Sequence, residues 1–194
     1  MFRRIAALAV ALWLGAVTVA CTGPVQPSPT PTPSPTFACI PEAGGDPVPC
    51  GPIEYEQAQK RDKLYADAEA VYRRYWAELS RISFLENPTF TDELAATTTG
   101  AFQEGARNIV DPRRHRRQTS GDVSLVRISR LPGLSRSGST VALLLCTDAS
   151  SARFLAPGES TPVAGKKYAT RAYLIPIDGS LRLVDGEIRD VSSC

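Results

Sequence analysis

Histidine is almost missing from this chain: His115 is the single one in 194 residues, and it sits inside a run of arginines. No two cysteines have the C-x-x-C spacing. The two absences leave a zinc site without its usual ligands, so no metal is expected, and no cofactor either. One histidine also leaves little of the commonest general base, and no serine has a histidine nearby to activate it. Net charge is lacking as well. The 22 basic side chains face 20 acidic ones, which gives no electrostatic reason to expect nucleic acid as a partner. A membrane-spanning helix needs roughly 17–25 apolar residues. The run Ile5–Ala20 has 16, too few for a permanent transmembrane anchor.

That run has another reading. Arg3 and Arg4 precede it, and it ends Thr18-Val19-Ala20-Cys21: a positive start, an apolar middle and small residues at the end, the layout of a secretory signal peptide over residues 1–20. With Cys21 directly after the small pair, the segment resembles a bacterial lipoprotein precursor, although Thr18 stands where that pattern usually has Leu. The resemblance implies a diacylated Cys21 holding the protein by membrane lipid on the extracytoplasmic face, since two acyl chains anchor firmly where one holds only marginally. Without lipidation Cys21 would be an ordinary thiol of a secreted protein. Removing Arg3 and Arg4 with the leader leaves 20 residues of each sign. The next stretch, TGPVQPSPTPTPSPT, is dense in proline. It favours extended polyproline II geometry and has too little apolar surface to pack, as suits a semi-rigid spacer.

With Cys21 set aside, Cys39, Cys50, Cys146 and Cys194 remain. An even number in an exported domain points to two disulfides, with three connectivities open. The expected pairs are Cys39–Cys50, around a Pro/Gly-rich stretch with no other means of holding a shape, and Cys146–Cys194, joining the end of a strand-like run to the last residue. Residues 21–50 are thus read as a tether with a disulfide loop, and 51–194 as the folded domain.

Pro52 opens a stretch from Ile53 to Phe84 without glycine or proline. In it Leu64, Ala68, Val71, Tyr72, Tyr75, Leu79 and Ile82 recur at spacings of three and four, one face of a long amphipathic helix. Thr91 is a fitting cap for a second helical segment, which Gly100 and Gly105 weaken enough to split in two and Asp111-Pro112 stops. Beyond Gly121 the pattern turns to strands: Val123–Leu131, then Ser139–Thr147 with the apolar block VALLLC, then Lys166–Ile177, closed by the turn signal Asp178-Gly179. The chain finishes around Asp185-Gly186, either a second tight turn or a bulge in one bent strand. Helices followed by an antiparallel meander make an α+β pattern.

In that element order, a long helix, a shorter helical region and a C-terminal antiparallel sheet, the chain resembles the nuclear transport factor 2-like superfamily, grouped with the cystatin-like folds. More narrowly it resembles actinobacterial lipoproteins that join a lipobox, a Pro/Thr-rich stalk and such a domain. The resemblance implies a curved sheet wrapped as a cone around the long helix. It also implies either a non-enzymatic binding or interaction domain in the cell envelope, or a small pocket enzyme or carrier. On the residues themselves, catalysis is not expected. Tyr168, Arg171 and Tyr173 are the polar candidates for a pocket on a strand, for an anionic or aromatic ligand. Arg113, Arg114, Arg116 and Arg117 form the one concentrated charge feature, either a solvated loop or a contact for anionic lipid, envelope polymer or protein. Oligomeric state is not read from the sequence.

Overall fold

The computed structural model describes residues 36–194. The segment read as a leader, Cys21 and all but the last residue of the proline-rich stretch lie outside the described residues.

A two-stranded hairpin comes first, β1 (Phe37–Cys39) paired antiparallel with β2 (Val48–Cys50), its ends joined by the Cys39–Cys50 disulfide. The following helix α1 (Pro52–Ser83) starts where Pro52 sacrifices no needed N–H and where the Glu54 carboxylate accepts from the Gly51 N–H at 2.8 Å. Its buried face, Tyr65, Ala68, Val71, Tyr72, Tyr75 and Ile82, follows the spacing of three and four. On the outer face Lys60–Glu56, Lys63–Asp67 and Arg73–Glu69 are i,i+4 ion pairs, each adding a few tenths of a kcal/mol.

The second helical segment divides just before Gly100, whereas Gly105 is accommodated inside a helix. Helix α2 (Asp92–Thr97) is capped by Thr91 Oγ1, which accepts from Leu94 N–H at 3.3 Å. Helix α3 (Gly100–Val110) begins at Gly100, whose φ of +53° suits glycine, and a Cβ there would lie 3.1 Å from the Val184 carbonyl oxygen.

The larger sheet has the order β4 (Ser124–Arg130), β5 (Val141–Asp148), β8 (Lys167–Ile177), β9 (Ser180–Val191), all antiparallel. VALLLC lies on β5, an interior strand. Val141, Leu143 and Leu145 point to the helices and Cys146 to the other face, where it bonds Cys194. Full burial of Leu143, Leu145, Leu174 and Leu183 against α1 and α2 is worth about 1.5–3 kcal/mol per side chain. The end of the chain is a single strand with a bulge: Tyr173 pairs with Asp185 and Leu174 with Leu183, leaving Val184 over. A third sheet, β3 (Arg117–Ser120), β6 (Arg153–Leu155) and β7 (Val163–Ala164), stands apart with the order β3-β6-β7.

Among the described residues, three helices and three open antiparallel sheets replace the expected nuclear transport factor 2-like cone. That assignment is corrected here. In the larger sheet β4 and β9 are edges that do not pair with each other, and between β5 and β8 the chain leaves for β6 and β7, which pair with β3. The material needed to extend and close one curved sheet is spent on a separate small one. The disulfide hairpin, expected in the tether, packs on α1: Phe37 stacks on Tyr55 with ring centroids 4.8 Å apart, and Arg61 donates to the Ile40 carbonyl. Among the described residues, no helix is long and apolar enough to cross a membrane.

Candidate functional site

The small sheet stands off the C-terminal half of α1 and leaves a cleft between them, about 520 Å³ in volume. Trp76, Leu79 and Ile82 of α1 give one wall, Phe154 and Val163 of β6 and β7 the facing wall, and Tyr168 at the start of β8 reaches in from the larger sheet. Gly165 allows this approach of strands. A Cβ on it would fall 2.3 Å from the Ala149 carbonyl oxygen and 2.8 Å from the Phe154 ring.

The polar groups of the cleft have distinct jobs. Gln118, buried, donates from Nε2 to the Gly121 carbonyl at 2.6 Å, and its Oε1 accepts from Ser83 Oγ at 3.0 Å, so it ties β3 to α1. His115 is 6 % exposed. Its Nε2 lies 2.9 Å from the Leu85 carbonyl oxygen and its Nδ1 3.2 Å from that of Ile109, so the ring bridges the segment after α1 to the last turn of α3. Because the histidine is turned inward, its neighbours Arg114 and Arg116 are turned out along the rim of the cleft. Lys166 and Asp190, a pair at 2.6 Å, stand at another part of the rim. Burial pushes the Tyr168 phenol up, and burial with neighbouring phenols does the same for Tyr72 and Tyr75 behind it. These groups are uncharged at neutral pH.

The expected site residues are divided among three places. Tyr168 lines the cleft. Arg171 and Tyr173 share the opposite face of β8, as alternation on a strand requires. Arg171 there borders a small depression of about 180 Å³ and pairs with Glu187 at 3.4 Å. Tyr173 is buried opposite Asp185, whose carboxylate is held by Arg136 at 2.9 Å and by the Ser137 hydroxyl at 2.7 Å. The three do not form one pocket.

The arginine run is divided too. Arg113 is exposed, Arg114 and Arg116 belong to the cleft, and Arg117 opens β3, half-buried. The bridge made by His115 and the tie made by Gln118 were not anticipated. In the sequence they show only as the two residues of 113–118 that are not arginine. Among the described residues, no group of three or more His, Cys, Asp or Glu side chains is placed to hold a metal ion. Asp148 serves the backbone: the Ser150 hydroxyl and amide, then Lys167, hold its carboxyl at about 2.

Both disulfides, Cys39–Cys50 and Cys146–Cys194, are present with Cα–Cα distances of 5.9 and 5.5 Å. Comparison with protein-family models and with curated proteins gave no match. One solved structure with a distant likeness is the intermembrane-space region of the chloroplast protein ARC6, at 13 % identity and a TM-score of 0.38, covering 64 % of this chain and 95 % of that one. At that score the likeness carries no argument about function. The expected kinship with actinobacterial lipoproteins of the nuclear transport factor 2-like type is withdrawn: the open sheets contradict its fold, and the comparisons supply no such relative.

Proposed function

We propose that the protein is an exported, non-enzymatic binding domain, held on the extracytoplasmic face of the cell membrane by lipid on Cys21, with the cleft as its binding site. The observation that carries the binding part is the cleft itself. Its apolar walls are set by α1 and the small sheet, and its convergent polar groups lie at the rim and at Tyr168, the usual make-up of a small-molecule site. Two disulfides support export, since such bonds persist in oxidising compartments. The anchoring part rests on the signal-like segment that ends at Cys21.

Two measurements test the parts separately. Mass spectrometry of the N-terminal peptide from membrane fractions is expected to find Cys21 first and acylated. An unmodified Cys21, or cleavage elsewhere, removes the anchor. Native mass spectrometry of the gently released protein is expected to show a small-molecule adduct that is lost with Ala164→Phe, an exposed cleft position on β7. No adduct, or one indifferent to that substitution, removes the binding role.

A further inference from the structure

We infer that the cleft takes a single-chain amphiphile with an acid head group, its chain between α1 and the small sheet and its head on Arg114 and Arg116. This rests on the reading of the cleft as the binding site and names the class of ligand.

The apolar part of the argument is the walls. Trp76, Leu79, Phe154 and Val163 line the space, and its buried polar side chains, Gln118 and His115, are already engaged with Ser83 and with backbone carbonyls, so polar ligand groups brought in among them would go unpaired, which is costly. Ile109 lines the cleft while 44 % exposed, and an exposed large apolar group of this kind is surface that a bound chain can cover.

The charged part is the rim. Among the described residues neither Arg114 nor Arg116 has a carboxylate partner; Arg114 donates to the Asn108 amide oxygen at 3.2 Å. Lys166, by contrast, is neutralised by Asp190. The rim therefore offers unpaired guanidinium forks, the side chain best matched to a carboxylate, on one side of the mouth. His115 fixes their placement: with its ring buried between the Leu85 and Ile109 carbonyls, the backbone on either side is held and the two arginines stay at the cleft. The ligand is committed to a free acid entering as a monomer, and a bilayer surface is the rival that the test separates.

Trp76 supplies the readout. The sequence holds two tryptophans, at 13 and 76, so the chain that begins at Cys21 keeps only the one in the cleft wall. Titration with a terminally brominated dodecanoate is expected to quench Trp76 saturably. The trimethylammonium of the same brominated chain should bind at least tenfold more weakly, and Arg114→Gln with Arg116→Gln should weaken the acid at least tenfold while leaving the melting temperature unchanged. Ala164→Phe should abolish saturation.

Equal binding of the two head groups would overturn the inference, as would unchanged affinity in the arginine double variant. So would the absence of quenching by the acid in a protein with unchanged circular dichroism, or quenching only by vesicles of brominated anionic phospholipid. An adduct in native mass spectrometry whose mass is not that of an acyl compound overturns this inference and leaves the binding role standing.

Discussion

Individual side chains here decide where segments are fixed to one another. The two ring nitrogens of His115 face backbone carbonyls 30 and 6 residues away, and a neutral ring, with its single N–H, donates to one of them. Replacing it by Ala leaves that oxygen in a nearly buried place without its donor, at roughly 1–3 kcal/mol. We expect His115→Ala to lower the urea midpoint with little change in the slope of the transition. A midpoint unchanged within error would show that water replaces the ring. Glu78 gives a pH signature. A hydrogen bond from Arg81 chiefly, and one from Thr91, hold its carboxyl at about 2, below the ordinary 4.5. A group depressed in the folded state contributes stability that is fully present above the unfolded value and is lost as pH falls through the folded one. The contribution of Glu78 is therefore present above about 4.5 and lost between there and about 2. Glu78→Gln should flatten that part of the acid-unfolding profile and lower stability at pH 7, and a profile parallel to the parent's would refute the assignment.

At the scale of elements, the two disulfides differ in what they close. Cys39–Cys50 spans 11 residues and Cys146–Cys194 spans 48. Loop-closure entropy gives about 3 kcal/mol for the first and about 4 for the second. The second also pins the last residue to β5, an interior strand of the larger sheet. Cys146→Ser with Cys194→Ser should accordingly depress the melting temperature more than Cys39→Ser with Cys50→Ser. The reverse order would mean that the hairpin matters more to the fold than β9 does. Strand β8 shows the same logic in its faces. Thr170, Ala172 and Leu174 are buried on the helix side, which carries Tyr168 into the cleft and puts Arg171 and Tyr173 behind the sheet. Spacing along β8 permitted the Arg171–Tyr173 pair but could not say which face would border a cavity.

For the molecule as a whole, the boundary of the folded unit lies before the hairpin. The described residues through Cys194 form one compact unit, and the hairpin contributes the Phe37–Tyr55 stack and the Ile40 carbonyl that receives Arg61. A chain cut to begin at Gly51 would expose Tyr55 and leave Arg61 without that acceptor. It should melt several degrees below one beginning at Cys21, since about 1 kcal/mol moves a domain of this size by roughly 2–4 °C. Equal melting temperatures would return the hairpin to the tether.

The sequence by itself determined the elements whose cause is local. Unbroken three-and-four spacing made α1, glycine at 100 split the second helical segment, a continuous apolar block made the interior strand β5, and Asp178-Gly179 turned the chain from β8 to β9. The pairing of cysteines was legible too, because one pair was close in sequence and the other joined a strand end to the last residue. Only the tertiary structure decided what depends on contacts between distant residues. Strands of two to four residues such as β3, β6 and β7 carry too few side chains for a period to show, and it is their pairing that separates the small sheet, leaves the larger one open and forms the cleft. The inward turn of His115 is of the same kind. Within the run of arginines its neighbours give no hint of burial, because its two partners are carbonyl oxygens, which every residue has, brought to it only by the packing of α1 beside α3.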